Sequence, residues 1–351
     1  MKTNSILKLQ MDLLNDAYLF TTKTNIHYLL GISNLEGDLL ITKNDIFFFT
    51  DFRYFEEASN ELPIEVINFL GKKLECINMY IKKLNIKKIY FEKDIPYIQA
   101  ISNKKFFESK SISYEMGLPV IEELRLIKSD GEIDLIRKSA FINDQIFRRL
   151  LKEIKLGVTE IELKFFLEAQ IRRLGGDGSS FDLIVLFGKK TSMPHGVSGQ
   201  VKLNYNTPIL IDIGVNYSGY ASDMTRTIYF GKPDTDFLDI YKIVKDVQKQ
   251  ALDMLMPGIR IKDIDQKVKD VLAIKGYILG HSTGHGVGLE IHEAPFINVN
   301  NENLLQENMV ITIEPGIYIP NNFGVRIEDL VLITDNGYEI LSNIDKELIV
   351  I

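Results

Sequence analysis

Apolar positions change period several times along this chain, and each change marks an element. Segments 26–32, 38–42 and 45–50 are rich in Ile, Leu and Phe and are separated by Asn/Gly or Lys-Asn-Asp turns, a pattern that predicts short strands. Residues 52–60, 72–83 and 95–110 space their apolar side chains as helices do, and 86–91 (Ile-Lys-Lys-Ile-Tyr-Phe) reads as a further strand among them. Strands interleaved with helices predict a small α/β domain over roughly the first 120 residues. Within it, Thr50-Asp51-Phe52-Arg53-Tyr54 stands at a strand-to-helix junction, where Asp51 is suited to cap the helix and Arg53 to pair with Asp51.

The texture changes at Pro119 and over 124–129, which places the boundary so that residues 1–122 form one domain and 123–351 a second, without a flexible linker. From Asp130 to Leu156 the positions Ile133, Ile136, Phe141, Ile146, Leu150 and Ile154 recur near the helical period, and Gly157 ends that helix. Thr159 with Glu162 reads as a capping box for a helix running to about Leu174, broken by Gly175-Gly176-Asp177-Gly178. Phe181–Phe187 is strand-like and leads to the Pro194-His195 loop. Residues 208–214 read as a buried strand, 217–230 as its hairpin partner, and 234–256 and 261–275 as helices. Two more strands, 310–316 and 324–332, close the chain, and each carries acids among apolar neighbours.

Composition narrows the function classes. A length of 351 residues suits about two domains. A net charge of −7 argues against nucleic acid as a partner, because phosphate recognition needs a basic patch. No apolar run of about 18 residues occurs, so no membrane-spanning helix is expected. The beginning of the chain, with Asp12 and Asp16, lacks the apolar core of a signal peptide. The single cysteine, Cys76, cannot form an internal disulfide and is expected to pack; both features fit a cytoplasmic location.

Chemistry concentrates in the second domain. Of the five histidines, His281, His285 and His292 fall between His281 and Pro295, and His195 lies in Met193-Pro194-His195-Gly196. Histidine is the commonest metal ligand and the readiest proton carrier near neutral pH. Gly280, Gly284, Gly286 and Gly288 around them permit positive φ or close backbone approach. Asp212, Asp223, Glu314 and Glu328 lie on strand-like segments with apolar flanks, where an acid is costly unless paired or metal-bound. The spacing of 11 residues between Asp212 and Asp223 suits two acids facing each other across a hairpin. Four carboxylates sharing one interior site repel one another. Two divalent cations balance their four negative charges, whereas one cation leaves a surplus, so a two-metal site is favoured. Oxygen ligands with one imidazole suit Mn, Co, Zn or Fe(II). The alternative is that the acids pair separately with Arg226, Arg326 and lysines.

The runs Asp212-x-Gly214, Ser222-Asp223-x-Thr225-Arg226-Thr227, Thr283-Gly284-His285-Gly286-Val287-Gly288-Leu289-x-x-His292-Glu293-x-Pro295, Glu314-Pro315-Gly316-Ile317-Tyr318 and Gly324-x-Arg326-Ile327-Glu328-Asp329 resemble the motifs of the pita-bread metallopeptidases. The match is best to the Xaa-Pro group, aminopeptidase P and prolidase, in the family's order over about 120–351. Tyr28-Leu-x-Gly31 and Thr50-Asp51-x-Arg53-Tyr54 resemble that group's amino-terminal domain. The resemblance implies an α+β architecture: a smaller creatinase-like α/β domain followed by a pita-bread catalytic domain.

It also implies Asp212, Asp223, His285, Glu314 and Glu328 as ligands of two divalent ions, manganese first and cobalt, zinc or iron as alternatives, with Asp223 and Glu328 bridging. Metal-activated water would attack, and Glu314 would take its proton. His195, His281 and His292 match the substrate-side histidines; His292 would stabilise the oxyanion or assist the leaving nitrogen, and His281 suits a supporting role equally well. Arg326 would orient a ligand or the substrate. The implied substrate is a peptide with proline in second position, and the implied assembly a homodimer. Thr50-Asp51-x-Arg53-Tyr54 leans towards an Xaa-Pro aminopeptidase, with the dipeptidase as the alternative. Methionine aminopeptidase shares the metal set, but the amino-terminal domain and the 14-residue spacing of Glu314 and Glu328 set it apart. A non-catalytic pita-bread binding module is disfavoured because all five ligand positions are filled.

Overall fold

In a computed structural model of the protein, every residue is described except Asp12, Leu118 and Pro119; Pro119, one of the boundary marks in the sequence, therefore lies outside the described residues, as does Asp12. The chain divides into two compact units, Met1–Arg125 and Leu126–Ile351.

The first unit is built on one mixed six-stranded sheet, in the order Glu65–Asn68, Ile46–Thr50, Asp38–Thr42, Asp16–Phe20, Lys88–Phe91 and Ser113–Met116. Leu19, Leu40, Phe49, Ile89 and Tyr114 of these strands join Ile77, Ile81 and Phe107 of two helices in one core. Cys76 packs against that core, and burial pushes its thiol up, as an inert packing residue requires. Asp51 caps the helix Phe52–Glu61 by accepting from Arg53 N–H at 2.9 Å and pairs with the Arg53 guanidinium at 2.7 Å.

One expectation for this unit changes, and two elements near the start of the chain were not anticipated. Residues 26–32 form no strand: Lys23–Leu30 is a helix that ends at Gly31 in the left-handed region, whose N–H donates to His27 O at 2.7 Å. A short continuous apolar run does not distinguish strand from helix. What favours the helix is remote, since the buried Glu92 carboxylate accepts from Thr21 N, Thr22 N and Asn25 Nδ2 at 2.5–2.7 Å just where the helix begins. The helix Thr3–Met11 and the strand Asp16–Phe20 had no clear sequence signal.

The second unit has strands within and helices outside. Thr207–Ile213 pairs antiparallel with Ile184–Phe187 on one side and Met224–Phe230 on the other. The helices Asp130–Leu150 and Glu160–Arg173 cover this sheet through Ile146, Leu150, Leu167 and Ile171. A five-stranded sheet follows in the order Glu293–Ile297, Gly284–Gly286, Val310–Ile313, Asp329–Thr334 and Gly337–Ile340. The helices Thr235–Leu252 and Ile261–Ile274 cover it through Val244, Val247, Ile264 and Val268. A two-stranded ribbon, Gly316–Ile319 with Phe323–Arg326, completes the inner layer.

Details again depart from the sequence pattern. The first helix stops at Leu150 rather than Leu156. Residues 217–230 are not one hairpin arm, since Val215–Tyr217 and Tyr220–Ala221 belong to a separate small sheet with Gly178–Ser179. In the main hairpin the register sets Thr225, not Asp223, opposite Asp212. Residues 324–332 are two strands, Phe323–Arg326 and Asp329–Thr334, which belong to different sheets.

Candidate metal centre

These interruptions create the site. Asp223 lies between Tyr220–Ala221 and Met224–Phe230, Glu314 between Val310–Ile313 and Gly316–Ile319, and Glu328 between Phe323–Arg326 and Asp329–Thr334. A strand inside a sheet commits alternate side chains to its two faces. At a break between sheets the backbone is free to aim one side chain into the space between them. The backbone stays anchored there: Glu328 N–H donates to Thr225 O at 3.1 Å and Glu314 N–H to Thr283 O at 2.8 Å. Only Asp212 sits within its strand.

The four acids line one cavity of about 460 Å³ together with His195, His281, His285, His292 and Arg326. Ligand atoms of Asp223, His285 and Glu328 lie within 4.8 Å of one another, close enough to hold a common cation. His285 Nε2 is 3.6 Å from Asp223 Oδ2 and 3.6 Å from Glu314 Oε1. His285 Nδ1 faces Gly286 O at 3.1 Å. A carbonyl only accepts, so the proton sits on Nδ1 and the Nε2 lone pair is turned towards the carboxylates. Burial lowers the His285 pKa to about 4, which keeps the ring neutral and able to coordinate.

The glycines serve close approach rather than unusual backbone angles. A Cβ on Gly284 would lie 1.9 Å from Thr312 O, and one on Gly286 2.2 Å from Ala294 O. Neither position has a positive φ. The strand Gly284–Gly286 is therefore pressed between its two neighbours, which brings His285 to the acids.

Charge is unbalanced in this centre. Burial and repulsion from Glu328, Asp212 and Glu314 raise the Asp223 pKa well above the ordinary carboxylate range. Burial and the same kind of repulsion raise Glu328, opposed by Arg326 and by a hydrogen bond from Thr225. Glu314 is pushed up to about 7, by burial first, with Arg326 pulling down and Asp212 pushing up. Such a cluster holds protons until a cation replaces them.

Arg326 alters the simple charge count. Its Nη2 donates to Asp212 Oδ2 at 2.6 Å, Nε to Thr225 Oγ1 at 2.9 Å and Nη1 to Tyr318 Oη at 2.8 Å. With this buried guanidinium the centre carries three net negative charges rather than four. Two divalent cations would then leave one positive charge for an anionic group to balance, and one cation would leave one negative charge. Among the described residues, no arginine or lysine makes an ion pair with Asp223, Glu314 or Glu328. Arg226 instead pairs with Asp329 at 2.6 Å and donates to the Glu328 and Thr225 carbonyls. Separate neutralisation of all four acids is thus not what the fold does.

The donor set fits divalent cations. Asp212 Oδ1 is buried without a hydrogen-bond partner, an expensive arrangement unless something electropositive meets it.

The remaining histidines differ. His281 donates from Nδ1 to Ser282 O at 2.8 Å and has Nε2 3.3 Å from Tyr318 Oη, and burial lowers its pKa. Tyr318 accepts from Arg326, so its own proton is available to His281. His292 reaches the surface with its ring 4.3 Å from that of His285 in an edge-on arrangement, and the part of the ring that is covered lowers its pKa too. His195 is exposed at the rim. Residue-type reasoning passed over Thr225, which donates to Glu328 Oε2 at 2.6 Å while accepting from Arg326, and the role of Tyr318. Both stand inside the quoted motifs, but only the fold shows whom they touch.

Comparison with known proteins agrees with this architecture. The profile of metallopeptidase family M24 matches residues 134–335, and that of the creatinase/prolidase N-terminal domain matches residues 8–127. An Xaa-Pro dipeptidase of Pyrococcus horikoshii is 37% identical, with 95% of this chain and 94% of that protein aligned. The solved Xaa-Pro dipeptidase of Bacillus anthracis is 36% identical and superposes with a TM-score of 0.95 over 100% of both chains. The solved X-Pro aminopeptidase of Thermotoga maritima is 31% identical, with a TM-score of 0.88 over 96% of this chain and 97% of that one.

Proposed function

Since the chain belongs to metallopeptidase family M24 and carries the creatinase/prolidase amino-terminal domain ahead of its pita-bread domain, we propose that it is an Xaa-Pro dipeptidase with a dinuclear metal centre. The observation that carries the reading is the convergence of Asp223, His285 and Glu328, with Glu314 and Asp212 beside them, in one cavity. Sequence leaned towards the aminopeptidase. The relatives named as dipeptidases support the alternative better, with the Thermotoga protein keeping the aminopeptidase as the second reading.

In this reading Asp212, Asp223, His285, Glu314 and Glu328 hold two divalent cations, with manganese favoured and cobalt, zinc or iron acceptable to the same donors. Cations held there would supply the Lewis acidity that makes water a nucleophile near neutral pH. Glu314, on the cavity wall beside His285, would take the proton of the attacking water at its carboxylate. His292 donates towards the developing oxyanion or the proline nitrogen, and His195 lies against the substrate from the rim. Arg326 acts as orienter of Asp212, since its donors are engaged by Asp212, Thr225 and Tyr318. His281 supports Tyr318. The proline preference follows from family membership. An Xaa-Pro bond has no N–H for an ordinary peptidase to grip.

The single cysteine supports a cytoplasmic setting, and the resemblance a homodimer, in which residues 1–122 would serve an accessory role. The test is hydrolysis of an Xaa-Pro dipeptide against the Xaa-Pro-Yaa tripeptide, with Mn, Co and Zn added in turn. A dipeptidase prefers the first by at least about tenfold in kcat/KM, a margin of about 1.4 kcal/mol in transition-state binding. Preference for the tripeptide returns the reading to the aminopeptidase.

A further inference from the structure

Glu160 opens the helix Glu160–Arg173, directly after its cap Thr159, and its side chain is fully buried. A buried carboxylate is tolerated only when its lone pairs are met. Here the partners are one loop residue and the two residues that flank the loop. Oε1 accepts from Phe187 N–H at 2.8 Å, at the end of the strand Ile184–Phe187. Oε2 accepts from Gly199 N–H at 2.9 Å and from Lys190 Nζ at 2.5 Å. Lys190 also donates to Val197 O at 2.7 Å. The backbone adds Ile161 N–H to Gly199 O at 3.0 Å and Glu160 N–H to Val201 O at 3.2 Å. One carboxylate thus closes the neck of the loop 188–198, and Lys190 braces it from within.

The loop carries Pro194, His195, Gly196 and Val197 to the cavity. His281 and His285 are each held by a carbonyl at Nδ1. His195 is different: it is exposed, and among the described residues no hydrogen bond holds its ring. Its place is set by the loop.

We propose that Glu160, with Lys190 as its counter-ion, is the positioning residue for His195, fixing the neck of the loop and so the reach of the imidazole into the cavity. The proposal rests on the reading that His195 contacts substrate. Two substitutions loosen the neck in different ways. Glu160→Gln keeps an acceptor for Phe187 N–H but turns an NH2 group towards Gly199 N–H and the Lys190 ammonium. Lys190→Met removes the brace from a less buried position and carries the test if Glu160→Gln fails to fold.

The experiment measures bound metal, kcat and KM on an Xaa-Pro dipeptide for each variant, alone and combined with His195→Ala. Both variants should keep the wild-type metal content and lose about tenfold to a hundredfold in kcat/KM, the scale of a misplaced group. They should lose little more once His195 is already alanine, because coupled residues are non-additive. Lys190→Arg should recover most of the activity. Wild-type activity in both variants alongside an impaired His195→Ala enzyme overturns the proposal alone, as does an equal loss in the His195→Ala background or loss of metal. A fully active His195→Ala enzyme overturns the substrate role of His195, and the proposal with it.

Discussion

At His285, the difference between a ligand and a proton carrier lies in which nitrogen bears the proton. Gly286 O holds it on Nδ1, which leaves Nε2 to the acids, whereas the exposed His292 sits edge-on beside the same ring and, among the described residues, has no such carbonyl partner. His285→Ala should therefore lower metal affinity by more than the tenfold to hundredfold typical of lost supporting contacts around a metal. His292→Ala should retain metal and lose about a hundredfold in turnover, as removal of a general acid does. Metal analysis alongside steady-state kinetics separates the two, and a fully active His292→Ala enzyme removes its proposed role.

The raised acids give a pH signature. In the metal-free protein, a carboxyl whose pKa is higher folded than unfolded stabilises the fold fully below its unfolded value, near 4.3 for glutamate. That contribution disappears as pH rises through the folded value, which for Glu314 is about 7. Thermal unfolding of chelator-treated protein should accordingly fall in midpoint between about pH 4.5 and 7.5. Glu314→Gln should make that fall shallower, leaving the part due to the raised Asp223 and Glu328, and saturating divalent cation should reduce it further. An equally steep fall in Glu314→Gln would place its cause elsewhere. At this scale the sequence was informative about identity but not partnership: an acid among apolar neighbours is visible one residue at a time. The ion pair of Arg326 with Asp212 spans 114 residues and has no local trace.

The acids reach their centre through the ends of elements. Asp223, Glu314 and Glu328 occupy gaps between strands, and the gap at Glu328 is where 324–332 ceases to be one strand and crosses to another sheet. No glycine or proline marks that crossing between Val325 and Leu332, so sequence pattern alone reads it as continuous. The helix Lys23–Leu30 was hidden for a related reason, because the carboxylate at its start comes from Glu92, far along the chain. Long amphipathic helices such as Glu160–Arg173 were legible, since the Thr159–Glu162 capping box and the apolar period lie within the segment itself. The strand Gly284–Gly286 supplies the element-scale prediction. Gly284→Ala must displace the Thr312 carbonyl, at about 1–3 kcal/mol for an overpacked site. Because His285 follows directly, the variant should also bind metal more weakly, as measured by denaturant unfolding together with a cation titration. Unchanged stability and unchanged affinity would show that the strand has room to spare.

For the molecule as a whole, the two-part α+β organisation was readable from the change of texture after about residue 120 and from motifs that keep their order across the second unit. Family membership then makes the chain a metallopeptidase. Residue chemistry alone does not distinguish a dipeptide from a longer substrate, because that choice depends on what closes the far side of the cavity. The sequence named Arg326 as an orienter or a counter-ion of the acids but not which acid it meets; the fold pairs it with Asp212, which reduces the negative charge that metal must balance. The most direct test of the centre is metal stoichiometry by mass spectrometry of the purified protein, followed by Xaa-Pro dipeptide hydrolysis before and after chelation. The expected result is two divalent ions per chain, activity lost with the ions and restored by manganese or cobalt. Hydrolysis that survives complete removal of metal, or a protein that takes up no divalent cation at all, would contradict it.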